Sequence, residues 1–324
     1  MGSTCRNMEI AMQSHNITVS IITIAGNNQF VKNGFLDAIT NQTIVDQIEL
    51  IVFGIGTQIV IPESYVKKLD IKSVQLNAER DFLYAQIQGV KMAQGAVVAF
   101  IEDHCVVQND WAKRVFDACT KGWDVVTYAF KNGSPNTYCY RSTFLAEYGL
   151  FAHPTKSREL NFCPDGNVAY NKEKLLPSLK KMNIERKGIA ALSWLLKKER
   201  FTMYLESKAV VFHRSFEKMY DLFRVHFILS RIFGQNRVID GCWGWKRRIA
   251  YALAIPLFLP YLQIFRVLKA MGLKHPHRRN LFIGLPFILA LTQFAAIGEG
   301  IGYVLKNKDS METLMDLELK APRV

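Results

Sequence analysis

The chain has 324 residues, 49% of them hydrophobic, and a formal net charge of +13. That length and apolar content support one large domain with its own core plus an appendage, and they exclude a disordered chain or a repeat array. Its six cysteines (Cys5, Cys105, Cys119, Cys139, Cys163, Cys242) are scattered, with no CxxC pair and no Cys/His zinc spacing, so reduced thiols are expected rather than a disulfide framework.

Residues 1–16 (MGSTCRNMEIAMQSHN) hold no apolar core of signal-peptide length, and Arg6 interrupts the myristoylation pattern. The amino-terminal domain is therefore expected to stay in the cytosol. Residues 17–25 (ITVSIITIA) are β-branched and apolar and stop at Gly26-Asn27-Asn28, which predicts a buried strand, a tight turn and an Asn-capped helix over 30–40. Further strands are predicted over 48–53 and 74–76, and a helix over 77–94 that Gly95 ends. Residues 96–101 (AVVAFI) form an uninterrupted apolar run, the mark of a strand buried on both faces. Glu102, Asp103 and His104 follow at once. Ligands of open α/β sheets collect at the carboxyl ends of the central strands, so a charged substrate is expected here.

Beyond the cluster, a helix capped by Asn109 or Asp110 runs to Cys119, and 123–130 (WDVVTYAF) is another strand. Strands alternating with helices over about 115 residues imply βα units and a mostly parallel sheet. Residues 132–136 and 162–167 (FCPDGN) are turn-rich; helices are predicted over 172–180 and 186–200, and short strands over 202–205 and 209–212, the last ending at His213-Arg214-Ser215.

The composition then shifts. Residues 216–308 hold fourteen Lys/Arg against four acids, most of the net charge, beside the two most apolar segments, 249–265 and 281–305. Cations beside apolar helices favour an anionic membrane surface over nucleic acid. The first segment is short for a span and holds Pro256 and Pro260; the second is long enough only with Gln293 and Glu299 inside it. If both crossed, Lys246-Arg247-Arg248 and the linker cations from Arg266 to Arg279 would lie on opposite sides, against the positive-inside rule. Helices lying in the interface, or dipping in and returning, are expected; a spanning hairpin is the alternative. Residues 311–319 (METLMDLEL) form either a short amphipathic contact helix or a frayed end.

A diphosphate needs a divalent cation to neutralise it, and a strand-end carboxylate holds such an ion with open positions. The imidazole of His104 favours Mn²⁺ over Mg²⁺. The plain alternative is that Glu102 or Asp103 merely caps the following turn.

The stretches ITVSIITIAGNNQF, IELIVFGIG, GVKMAQGAVVAFIEDHCVVQNDWAKRV, CPDGNVAYNKEKL and AVVFHRS resemble, in this order, glycosyltransferase family 2 of the GT-A fold. The likeness covers about residues 17–237 and extends through GEGIGY to membrane-associated members. It implies an N-terminal extension (1–16), a GT-A domain (17–215), a basic helical membrane-associated region (216–308) and a tail (309–324). By this resemblance Glu102-Asp103-His104 stands for the DxD motif that binds metal and sugar-nucleotide diphosphate. Thr23, Ala25 and Asn27 line the nucleotide, Gly166 and Asn167 lie near donor sugar and acceptor, and His213 closes the catalytic domain and joins the metal. For His213 a satisfied histidine at a strand end is the alternative.

The chain departs from the family where an Asp usually ends the second strand, since Phe53-Gly54 stands there. The base of inverting members falls near Ile189; Glu185, about one helical turn early, is the nearest carboxylate, with Asp165 a second candidate and a surface charge the other reading of Glu185. The implied activity is transfer, with inversion, from a nucleotide-diphosphate sugar to a lipid-linked or glycan acceptor at the cytoplasmic face of a membrane. A GT-A scaffold without turnover is the competing reading.

Overall fold

The computed structural model describes residues 16–77, 82–164, 166–180, 196–305 and 310–324. Among the described residues, nine strands form one sheet: β1 (Val19–Ala25), β2 (Ile48–Ile55), β3 (Asp70–Leu76), β4 (Val97–Phe100), β5 (Cys105–Val107), β6 (Val125–Asn132), β7 (Arg158–Leu160), β8 (Val168–Asn171) and β9 (Met203–His213). Their order is β3-β2-β1-β4-β8-β6-β9-β5, with β7 also on β9. The half from β3 to β4 is parallel, as alternation of strands and helices predicts. Beyond β4 the sheet is mixed, because β8 runs antiparallel between β4 and β6, and β5 and β7 run antiparallel to β9. The apolar run of β4 is buried along its whole length.

Local differences from the predicted elements have local causes. The helix expected over 30–40 is two short ones, Gln29–Lys32 and Phe35–Thr40, split where Gly34 takes φ +84°, a conformation that suits glycine. The two short strands expected at 202–205 and 209–212 are one strand, β9, carrying a bulge: Tyr128 faces Glu206 while Ala129 faces Val210. The helix Tyr138–Tyr148, which is not among the elements expected from the sequence, is capped by Thr137, whose hydroxyl accepts from the Tyr140 amide. It shows no apolar stripe because it is covered on more than one side: Ser142, Phe144, Leu145 and Tyr148 are all buried. Most of the helix expected over 186–200 lies outside the described residues.

One charge sits inside the sheet. Glu49 on β2 is fully buried and takes hydrogen bonds from Lys72, the Ser20 hydroxyl and the Gln94 amide. Burial alone would raise its carboxyl, but these donors outweigh it and hold the group below the ordinary glutamate value. Its stabilisation is complete above the ordinary glutamate range and is lost as pH falls through the lowered folded value. Glu49→Gln is expected to cost roughly 1.5–3 kcal/mol at neutral pH, and urea titrations at descending pH should show the gap to wild type closing as the medium becomes acid.

Three long helices, Met219–Asp240, Trp245–Met271 and Arg278–Val304, pack side by side, and a closing helix, Ser310–Lys320, returns onto the first. The second and third are long and apolar enough to cross a membrane. First and third meet backbone to backbone: a Cβ on Gly298 would lie 2.2 Å from the Phe227 carbonyl oxygen, and one on Gly302 2.1 Å from that of Arg231. Glu299, in the third helix, is 4% exposed and bonded to Arg237 of the first (2.7 Å) and to the Tyr303 hydroxyl. The second helix is the outlier, with Leu253, Leu257, Phe258, Tyr261 and Phe265 each more than 60% exposed. The linker after it is tied to the sheet domain: His275 Nε2 meets the Pro154 carbonyl at 2.8 Å and His277 Nε2 that of His153 at 3.0 Å. Residues 310–324 are a docked segment, since the amides of Glu217 and Val324 donate to the carbonyls of Pro322 and Ser215.

Candidate active site

The ends of β1 and β4 lie together, with the Ile101 amide donating to the Ile22 carbonyl. The chain then turns through Glu102, Asp103 and His104 into β5, whose register sets Cys105 opposite His213 at the end of β9. That pairing converts two histidines 109 residues apart into neighbours, their Nε2 atoms 3.0 Å from each other. Glu102 Oε2 stands 3.6 Å from His104 Nε2 and 3.4 Å from His213 Nε2. With Cys105 Sγ these ligand atoms fall within 4.8 Å of one another.

The remaining nitrogen of His104, Nδ1, meets Asp103 Oδ1 at 3.1 Å. A carboxylate there accepts a hydrogen bond from Nδ1–H and so leaves the lone pair on Nε2, the usual arrangement behind a metal-binding imidazole. Asp103, one of the two carboxylates of the expected metal motif, thus stands behind His104, and Glu102 faces the ligand position. Burial, reinforced by the charge of Arg323 and opposed by Asp103, pushes the His104 imidazole down, so it is neutral and a competent ligand. Burial would raise the Glu102 carboxyl, but a hydrogen bond from His213, the two neighbouring imidazoles and the Asn167 amide hold it well below the carboxylate range. Burial pushes the Cys105 thiol well up, which keeps it protonated and a weak donor. Two imidazole nitrogens and a carboxylate oxygen facing one another fit a divalent cation, and the nitrogens favour Mn²⁺ over Mg²⁺.

Glu102 is clamped from the 166–167 loop. Asn167, 1% exposed, donates its amide to the Glu102 carboxylate, while its Oδ1 accepts from the Glu102 backbone amide at 3.1 Å. Gly166 leaves room for that carboxylate, since a Cβ there would sit 2.6 Å from Glu102 Oε1. Gly166→Ala is expected to turn the carboxylate aside and weaken Mn²⁺ binding roughly 10–100-fold, the range for loss of a supporting contact, with little change in melting temperature. Calorimetric titration of Mn²⁺ checks it; unchanged affinity would remove Gly166 from the site.

Two cavities meet at the cluster. One, of about 420 Å³, runs from Glu102 and Tyr148 past Phe82 to Leu229 and Phe233 of the first long helix and Leu314 of the closing helix, and its walls are mostly apolar. The other, of about 310 Å³, is more polar and is lined by Asp103, His104, Asn27, Lys32, Arg214 and Arg323, with Glu217 and Glu318 also on its wall.

Of the residues singled out in the sequence, Glu102, Asp103, His104, Gly166, Asn167 and His213 come together. Asn27 lines the polar cavity, donating its amide to the Leu319 carbonyl at 3.2 Å. Thr23 and Ala25 are buried within β1, 1% and 0% exposed, beneath the site rather than on its surface. Asp165 and Glu185 lie outside the described residues. Tyr148, Glu318 and Arg323 were not foreseen, since they arrive from helices and turns far along the chain and no local motif marks them. Arg214 was visible as the neighbour of His213.

Comparison with known proteins bears on this cluster. No curated protein matches the chain. Among solved structures, GalNAc-T7 crystallised with UDP, GalNAc and Mn²⁺ aligns with a TM-score of 0.47 and 12% identity over 61% of this chain and 43% of its own. S. aureus TarS 1-349 aligns with a TM-score of 0.45 and 16% identity over 89% of this chain and 90% of its own, and S. aureus TarS with 0.47 and 14% over 88% and 55%. The chain thus spans less than half of the GalNAc-T7 chain. Residues 57–179 match the family described as glycosyl transferase family 2. That stretch contains Glu102, Asp103 and His104 together with the Gly166–Asn167 clamp, so the likeness to this family falls on the part of the chain that carries the cluster.

Proposed function

We propose that the protein is an inverting glycosyltransferase that moves a sugar from a nucleotide-diphosphate donor to a lipid-linked acceptor, working on the cytoplasmic face of a membrane. The observation that carries this reading is the junction of the polar cavity, with its cations and metal-type cluster, and the apolar cavity between the first long helix and the closing helix. A diphosphate suits the first and an apolar chain the second, and Asp103 and His104 line both.

Glu102, His104 and His213 would hold a divalent cation, which when bound supplies positive charge against the leaving diphosphate. Asn167 and Gly166 keep the Glu102 carboxylate turned toward the ligand position, and Asp103 fixes the tautomer of His104. Arg214 and Lys32 add fixed positive charge on the cavity wall, in place before the bond to the diphosphate breaks. The acceptor hydroxyl loses its proton to a carboxylate and its oxygen attacks the anomeric carbon from the face opposite the diphosphate. Asp165 and Glu185 are the proposed bases.

Membrane association rests on the second long helix, whose exposed Leu253, Leu257, Phe258 and Phe265 lie between Lys246-Arg247-Arg248 and Arg266, Lys269. An in-plane arrangement is favoured over a spanning hairpin on two grounds. The linker is bonded to the domain that holds the site, so it lies on the same side as that domain. The first long helix, packed against the third, carries Arg224, His226, Arg231 and Arg237, which suit an aqueous or interfacial position. Protease protection of the linker in sealed vesicles, with the catalytic domain outside, would sink the in-plane arrangement.

The activity itself is tested by incubating the solubilised protein with UDP-, GDP-, CDP- and dTDP-sugars, membrane lipid extract, and Mn²⁺, Mg²⁺ or EDTA. Release of one nucleoside diphosphate with metal, and a glycolipid product of inverted anomeric configuration, is expected. No donor consumed under any condition overturns the proposal; a soluble glycan as the only acceptor overturns its lipid part.

A further inference from the structure

We propose that residues 310–324 are a working wall of the donor pocket, and that Arg323 is the side chain that grips the diphosphate of the donor. The inference rests on the glycosyltransferase reading above and adds to it a binding residue supplied from outside the family-matched stretch.

The segment reaches the site by a defined route. The closing helix lies along the first long helix and ends with Leu319 directly over Gly26, close enough that a Cβ on Gly26 would sit 2.1 Å from the Leu319 carbonyl oxygen. The chain then runs antiparallel to residues 215–217, with Arg323 bridged to Phe216, three residues after the metal-type ligand His213. Arg323 is therefore carried to the rim of the cluster by backbone pairing.

Its side chain is built in rather than loose. It is only 9% exposed, its guanidinium lies 3.3 Å over the Phe216 ring, and Glu318 accepts from one of its terminal nitrogens. Its Nε is buried without a hydrogen-bond partner. A buried cation with a donor left open is costly unless something answers it. Arg323 lines the polar cavity together with Lys32, Arg214, Asp103 and His104. A planar fork of donors that shares a cavity with a metal-type cluster matches a diphosphate, whose oxygens can face both at once. Glu318 holds the fork in the absence of a ligand and yields it to one.

The alternative role for Arg323 is structural, as the partner of Glu318 that staples the segment down, and two variants separate the roles. Calorimetric titration with UDP, GDP, CDP and dTDP and the matching monophosphates, in Mn²⁺, is run on the full chain. Arg323→Gln is expected to weaken the preferred nucleoside diphosphate roughly 10–100-fold, the loss of a charge-assisted contact, and its monophosphate less than about threefold. Glu318→Gln, which breaks the same ion pair, is expected to leave diphosphate affinity equal or tighter. If Arg323→Gln does not fold, Arg323→Lys serves, with a smaller loss still confined to the diphosphate. Equal diphosphate binding by wild type and the Arg323 variant overturns this inference alone, as does a parallel loss in both variants or of both ligands. Failure of wild type to bind any of the four diphosphates overturns the donor reading itself, and this inference with it.

Discussion

Glu102→Gln is expected to lower sugar transfer by roughly 10²–10³-fold, the range for removing one preorganised charge-stabilising group, while the melting temperature changes far less. The reason is position. Glu102 is the carboxylate that faces both imidazole nitrogens, at 3.4 and 3.6 Å, and its own amide and side chain are held by Asn167. The fold is already determined by β4 behind it, which is buried without help from the carboxylate. The neutral amide keeps the shape but removes the negative charge that balances a cation between His104 and His213. Donor turnover and Mn²⁺ titration should fall together in this variant and in His213→Ala. Full turnover in either would take that residue out of the chemistry.

Glu299→Ala should be the most damaging single change away from the site, costing roughly 3–5 kcal/mol, the usual penalty for leaving one half of a buried ion pair. Glu299 is 4% exposed, and removing it strands the Arg237 guanidinium beside Tyr303 and Trp243. Replacing both partners by apolar residues of similar size, as in Arg237→Met with Glu299→Leu, is expected to recover most of the loss, because nothing charged is then left without a partner. Thermal unfolding in detergent checks both variants. A single and a double variant of equal stability would show that the ion pair does not hold the helices together.

The difference between what the sequence showed and what it hid follows from the range of the interactions. β1, β2, β4 and the helix Trp111–Thr120 were legible because each is specified by its own apolar pattern, only residues 74–76 of the more polar β3 were, and the order of βα units implies the parallel half of the sheet. The Glu102–His104 turn was legible because three polar residues abruptly end a buried run. The mixed half was not: β5, β7 and β8 are three or four residues long, too short to show a period, and are defined by the strands they pair with. Glu299 looked like an obstacle to an apolar helix; its partner is 62 residues away, and only packing discloses that the charge is neutralised. Arg323 belongs to the same class of hidden residue.

The bond between Asn27 and Leu319 joins residues 292 apart. During synthesis, a ribosome that has released the first 215 residues has delivered Glu102, His104, Asn167 and His213, yet Leu229, Phe233, Leu314 and Arg323 have still to emerge. Contacts of such long sequence separation form late in folding. The nascent protein therefore possesses its metal-type ligands long before it possesses a closed substrate chamber, and the two helices that complete the chamber, the first long one and the closing one, flank the exposed apolar helix in sequence. Assembly order alone thus withholds a finished catalyst from a half-made chain, and ties the appearance of activity to the arrival of the helices proposed to seat it on the lipid.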